Sequence, residues 1–181
     1  MAAHAAKQFD VPANQCLVCS TGRIGVPLRM DIILPGIEKL AKAVSPQGGE
    51  QAARGILTTD TRPKRFTTTF TVNGQVCRLT GIAKGAGMIQ PNMATMLAFL
   101  LTDARVERGA LQQSLRAAVA QSFNRITVDG DQSTNDTALL LANGSAGHSL
   151  LKPGHPDWAA WVAALEGVTF RLAMEMVRDG E

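Results

Sequence analysis

Thr95 follows Ala94 at the entrance to the apolar run "TMLAFLL", behind the glycine-bearing stretch "KGAGMIQPNMA". A threonine hydroxyl is a weak nucleophile until a base takes its proton. A break between Ala94 and Thr95 gives Thr95 a free α-amine, whose unperturbed pKa of about 7.7–8.0 lets the residue act as its own base. The same hydroxyl can make the cut by attacking the Ala94 carbonyl in an N-to-O acyl shift, and the small Ala94 leaves that carbonyl accessible. Taken alone, the residue also reads as a strand threonine bonded to nearby backbone.

Other residues compete for attention. Asp129 and Asp131 follow a short apolar stretch. In that position they can serve Mg²⁺-dependent phosphoryl transfer, with Asp129 as nucleophile and Asp131 as acid, or simply form a solvated turn. No phosphate-gripping loop accompanies them. A calcium loop starting at Asp129 needs Gly at its sixth position and Glu at its twelfth; Thr134 and Leu140 stand there, which excludes it. Cys16-x-x-Cys19 lacks two further zinc ligands at workable spacing and reads as two small buried residues. Lys84 precedes Gly85 and Gly87, the reverse of a phosphate loop. The glycines then serve close backbone approach, and Lys84 is either a ligand-facing cation or an exposed one.

These residues need elements to hold them. Asn73-Gly74, between residues 66–72 and 75–83, is a strong hairpin signal because both tolerate positive φ. It sets Val72 opposite Gln75 and Phe70 opposite Cys77. Phe66, Phe70, Cys77 and Leu79 then share the core face, with Thr67, Thr69 and Thr71 on the other. Residues 95–102 read as a fully buried strand, and 137–142 as another apolar strand. Residues 15–20 read as a buried strand ending in a Thr21-Gly22 turn. Pro27 and Pro35 punctuate the next segment. Ile37, Leu40, Ala41 and Val44 mark a helix stopped by Ser45-Pro46, and a short helix follows at 50–54. Residues 107–123 form an amphipathic helix with Leu111, Leu115, Ala118, Val119 and Ser122 on one stripe. Pro156 opens a last helix at its first position, with Trp158, Trp161, Val162, Leu165, Leu172 and Met176 facing inward. The pattern is mixed α/β with hairpins.

Composition narrows the classes. The 181 residues suit one domain or a large piece of one, and 45% hydrophobic residues supply a core. Aromatics make up 4% and the net charge is +3, which disfavours nucleic acid as a partner. No apolar run is long enough to span a bilayer, and residues 1–7 lack the apolar core of a signal peptide. Three cysteines, an odd count, fit a reducing cytoplasm.

Five segments occur in order: "STGRIGVPLRMDIILPGI", "ILTTDTRPK", "AKGAGMIQPNMATMLAFLLTDA", "SFNRITVDGDQSTNDTALLLANG" and "VRDGE". Together they closely resemble the ornithine acetyltransferase family, also called glutamate N-acetyltransferase, from about Cys16 to Glu181. The resemblance implies an α/β fold of layered helices and sheets, here a single partial domain over 1–181 with the hairpin at 66–83. It implies a precursor that cuts itself between Ala94 and Thr95, leaving 1–94 as the α-chain part and 95–181 as the β-chain part. Thr95 then takes acetyl from N-acetylornithine, or in some members acetyl-CoA, and passes it to glutamate for arginine biosynthesis in the cytoplasm. Thr21 and Gly22 match the oxyanion-hole pair. Thr61, Lys84 and Glu181 match substrate-contacting positions, together with Thr95. No metal or bound cofactor is implied, and the partners are small molecules plus an oligomer of the cleaved chains. Family members are about twice as long as this chain. Gln90 stands where many have His, and Arg29 where Pro is usual. The expected alternatives are a truncated, non-catalytic remnant of the family and the Asp129/Asp131 phosphotransferase.

Overall fold

A computed structural model describes residues 1–22, 25–89, 96–131 and 133–180. The chain divides into two compact units, Met1–Ala52 and Ala53–Glu181.

The first unit is helical. α1 (Ala2–Phe9) ends on Asp10 in the left-handed conformation, φ 51°, whose stop is sealed by Val11 N–H donating to the Ala6 carbonyl at 3.1 Å. α2 (Met30–Ala43) contains Pro35, so this proline does not bound the helix as its sequence suggests. It sits in the second turn and forgoes the one backbone bond that its missing N–H would have made. The stripe through Leu40 and Val44 is open to solvent, at 70% and 71% exposure. Residues 15–20 correct a second expectation. Gln15 closes a short 3-10 turn, residues 16–20 form no strand, and Leu17 and Val18 are exposed. An isolated strand cannot satisfy its own backbone groups, and every paired strand of the described residues lies in the second unit. Cys16 and Cys19 are half-buried free thiols, not buried ones.

The division falls within α3 (Gly49–Gly55). Beyond it stands a sheet in the order β1 (Lys64–Val72), β2 (Gln75–Lys84), β3 (Leu97–Thr102), β4 (Thr137–Ala142). The first three are antiparallel neighbours, and β4 runs parallel to β3. Asn73 and Gly74 take φ of 49° and 76°, and the register is the expected one, Phe70 opposite Cys77 and Val72 opposite Gln75. Phe70, Val72, Cys77 and Leu79 are buried, while Thr67, Thr69 and Thr71 face out. β3 begins two residues later than expected and is not wholly buried, since Leu101 is 49% exposed.

The crossover from β3 to β4 carries α4 (Arg108–Gln121), capped by the Glu107 carboxylate accepting from Ala110 N–H at 2.7 Å. α5 (Trp158–Arg178) packs on β1, β2 and α4. It starts after Pro156, with Asp157 as N-cap, so proline precedes the cap rather than opening the first turn. Trp161, Leu165, Val168, Leu172 and Met176 pack against the sheet with Phe70 and Leu79. The Phe70 and Trp161 rings are tilted at 56° with centroids 5.7 Å apart.

Helix and sheet approach closely at Gly81. A Cβ there would stand 2.6 Å from Leu172, 2.8 Å from Leu100 and 2.9 Å from Val168. Gly81→Ala is expected to destabilise the chain by about 1–3 kcal/mol through overpacking. An unchanged urea midpoint would show that this seam can relax.

Candidate active site

The strand order brings four chain segments to one end of the sheet. β1 begins at Lys64, paired with Ala83 beside the end of β2. β2 ends at Lys84, opposite Leu97 at the start of β3, and Leu97 in turn pairs with Thr137 at the start of β4. The loops 58–63 and 85–89, the segments 129–131 and 133–136, and Met96 therefore converge there, joined by Asp179 from the end of α5.

Lys64 is the centre of this end. It is 1% exposed, and its ammonium donates to Asp60 Oδ1 at 2.6 Å and to Asp179 Oδ2 at 2.5 Å. Gly85 N–H also donates to Asp60 Oδ1, at 2.7 Å. Thr61 donates to Asp179 twice, through N–H at 3.1 Å and through its hydroxyl. Burial opposes ionisation of Asp179, but the Lys64 and Thr61 bonds outweigh it and hold the carboxyl at about 2. Asp60 moves down too: burial resists, while Gly85 N–H and Lys64 prevail. Buried charges survive in proteins when paired and hydrogen-bonded, as these are.

Lys84 is 2% exposed and donates to Thr58 Oγ1 at 3.2 Å. Burial pushes its pKa down, against the opposing pull of Asp60 and Asp136. The exposed-lysine alternative is thereby excluded.

Asp129 and Asp136 hold the chain just before residue 90 and just after residue 95. The Asp129 carboxylate accepts from Met88 N–H, from Ile89 N–H at 2.8 Å and from Asp131 N–H at 3.1 Å. These bonds hold Met88 at φ 58°, a conformation uncommon for a non-glycine residue. Asp129 is thus the brace of a turn, its carboxylate engaged by three backbone N–H groups, which argues against the phosphotransferase reading. Asp131 is exposed. On the other side, Asp136 Oδ1 accepts from Met96 N–H at 2.9 Å, while Oδ2 is buried with no hydrogen-bond partner among the described residues. Burial pushes this carboxyl up to about 6, although Met96 N–H and Lys84 both favour its charge.

The sequence-derived residues are distributed as follows. Thr61 and Lys84 come to the same sheet end. Thr21, half-buried, and Gly22, exposed, belong to the first unit. A Cβ at Gly22 would make only an ordinary contact, 3.6 Å from Leu28. Ala94, Thr95, Gln90 and Glu181 lie outside the described residues. Asp60, Lys64, Asp136 and Asp179 were not singled out by sequence, although each sits inside a quoted motif or beside a strand start. Among the described residues no cluster of His, Cys, Asp and Glu could hold a metal ion, and no helix is long and apolar enough to cross a membrane.

Ser149, His155 and Asp157 have the residue types of a nucleophilic triad. Asp157 N–H donates to His155 Nδ1 at 3.1 Å, so the neutral ring carries its proton on Nε2, which faces Asn73 Oδ1 at 3.2 Å. Such a ring cannot take the Ser149 proton. The group ties the hairpin turn to the start of α5, where Asn73 N–H also donates to Asp157 at 2.9 Å.

Fold and site together define a mixed α/β protein with a charged, largely buried centre at the common end of four strands. The profile of the ArgJ family matches residues 1–181, and the chain belongs to that family. The arginine biosynthesis bifunctional protein ArgJ of Symbiobacterium thermophilum is 49% identical over 181 residues, covering all of this chain and 45% of its own length. The protein of that name from Caldanaerobacter subterraneus is 47% identical over the same span, again 45% of its length. The crystal structure of the Bacillus halodurans protein, 48% identical, superposes with a TM-score of 0.45 over 46% of this chain and 39% of that one. The chain spans less than half the length of these curated relatives.

Proposed function

We propose that the chain carries the nucleophile-bearing part of a glutamate N-acetyltransferase that works through Thr95. The observation supporting this best is the double anchoring of the stretch containing Ala94 and Thr95. Asp129 holds its upstream shoulder at Ile89, and Asp136 its downstream shoulder at Met96, at the end of the sheet where Lys84 and Thr61 stand. Rigid shoulders are what an internal acyl shift requires, because attack within one chain depends on near-contact geometry.

In the cut, the Thr95 Oγ–C bond to the Ala94 carbonyl forms and the Ala94–Thr95 C–N bond breaks. The hydroxyl proton ends on the released amine. Water then hydrolyses the ester, leaving the Ala94 carboxylate and a free N-terminal Thr95. In the transfer, Thr95 Oγ takes the acetyl group of N-acetylornithine and releases ornithine. Glutamate's amine then takes acetyl from the ester and restores the hydroxyl. The Thr95 α-amine accepts and returns the proton in each half. Acetyl-CoA is a second possible donor in the same scheme.

Thr21 and Gly22 are assigned to the oxyanion, the former by hydroxyl and the latter by N–H. Lys84, buried and cationic, has donors to spare for a substrate carboxylate, since Thr58 takes one of three. Thr61 donates its hydroxyl proton to Asp179, which leaves its oxygen free to accept from a substrate ammonium. Glu181 is assigned to substrate as well. The reaction belongs in the cytoplasm, in an oligomer of the cleaved chains, with no bound cofactor.

Intact mass of the purified chain tests this reading. Wild type is expected to give two species, residues 1–94 and 95–181, and Thr95→Ala one. With N-acetylornithine, the 95–181 species should gain one acetyl group. An uncut wild-type chain would sink the reading, and a Thr95→Ala chain that still splits there would point to a contaminating protease.

A further inference from the structure

We infer that Asp136 is a positioning residue for Thr95, acting on it through the Met96 amide; this rests on the nucleophile reading above. Met96 is the next residue after Thr95 and is buried. Both of its backbone polar groups are fixed: its N–H donates to Asp136 Oδ1 at 2.9 Å, and its carbonyl accepts from Thr137 N–H at 3.0 Å. Asp136 and Thr137 are adjacent at the start of β4, so one rigid corner holds the chain immediately beyond the nucleophile.

A neutral acceptor would suffice to satisfy that N–H. The chain instead places there a carboxylate whose second oxygen is buried with no hydrogen-bond partner among the described residues, an arrangement that costs stability and is uncommon. The charged group acting on it is Lys84 of β2, which in turn feels Asp60 and Lys64 of the buried cluster. An ionised Asp136 makes a charge-assisted bond to Met96, stronger than a neutral one. Protonation weakens that grip, and with Asp136 held at about 6 the change falls just below neutrality.

Self-cleavage by the wild-type chain is therefore expected to slow as pH falls through about 6. Asp136→Asn keeps an acceptor oxygen without the charge. It should slow cleavage about tenfold near neutrality and abolish the acidic limb, while Asp136→Ala should slow it about a hundredfold, the scale of a misplaced reacting group. The grip itself is read without catalysis, in uncut Thr95→Ala chain. There the Met96 amide proton should titrate by NMR with a midpoint near pH 6, and the added Asp136→Asn substitution should flatten it.

A flat Met96 amide in Thr95→Ala overturns the inference, whatever the chain does catalytically. So does an Asp136→Asn chain that folds and cleaves with the wild-type rate and pH profile. A titrating Met96 amide in a chain that never cleaves overturns the nucleophile reading instead, and with it the role given to Asp136.

Discussion

Replacing Lys64 with methionine is expected to lower the unfolding free energy by about 3–5 kcal/mol at neutral pH, the cost of removing one partner from a buried ion cluster. Methionine keeps the length and much of the volume, so packing loss is a minor part. The loss comes from Asp60 and Asp179, whose side chains are 0% and 2% exposed and would face each other without the shared cation. Gly85 N–H and the Thr61 donors remain, but neither neutralises charge. Two signatures separate this from a cavity effect. The deficit should shrink in acid, where protonation removes the uncompensated charges. It should also be largely repaired in Lys64→Met/Asp60→Asn/Asp179→Asn. Denaturant midpoints measure both, and a Lys64→Met change that is the same at pH 3 and pH 7 would refute the electrostatic account.

Two carboxylates should give the chain a stability maximum near pH 4, declining on either side. Asp179 ionises at about 2 when folded, below its ordinary 3.8. Its contribution is complete above 3.8 and disappears as pH falls toward 2, a loss of about 2–3 kcal/mol. Asp136 has the opposite sign. Its folded pKa of about 6 exceeds the ordinary 3.8, so its contribution is complete below 3.8 and lost as pH rises through 6, by about 3 kcal/mol. Asp136→Asn should therefore be more stable than its parent at pH 8, whereas Asp179→Asn should flatten the acid side. Unfolding curves from pH 2 to 8, in a Thr95→Ala background that removes the proposed cut, decide it. An Asp136→Asn variant less stable than its parent at pH 8 would contradict the sign. The pairing of a stability cost with a proposed role at Thr95 is the trade often found where a buried charge is retained for chemistry.

Much of the local structure was legible from neighbouring residues alone. Asn73-Gly74 fixed the hairpin register, because a two-residue turn leaves the flanking strands no other alignment. The stripe from Leu111 to Ser122 and the inward face of α5 followed from helical spacing. The strand expected at 15–20 failed because an apolar run specifies burial but not a partner, and none pairs with it among the described residues. Pro35 misled for a related reason: proline removes one donor, and a helix that supplies its other bonds can absorb that loss.

The sequence by itself determined the ArgJ family membership and the hairpin that ends in Lys84, and it alone points to the proposed nucleophile Thr95 and the proposed cut before it. Only the tertiary structure decided what surrounds them. Asp179 lies 115 positions from Lys64 and 118 from Thr61, and Asp136 lies 40 from Met96. No local rule joins residues so far apart. They meet because antiparallel and parallel pairing stack the start of β1, the end of β2 and the starts of β3 and β4 at one edge, and because α5 packs across that sheet with its last turn over Lys64. The same burial that closed the core there is what turned ordinary loop carboxylates into a shared ion cluster and a carboxyl poised near neutrality.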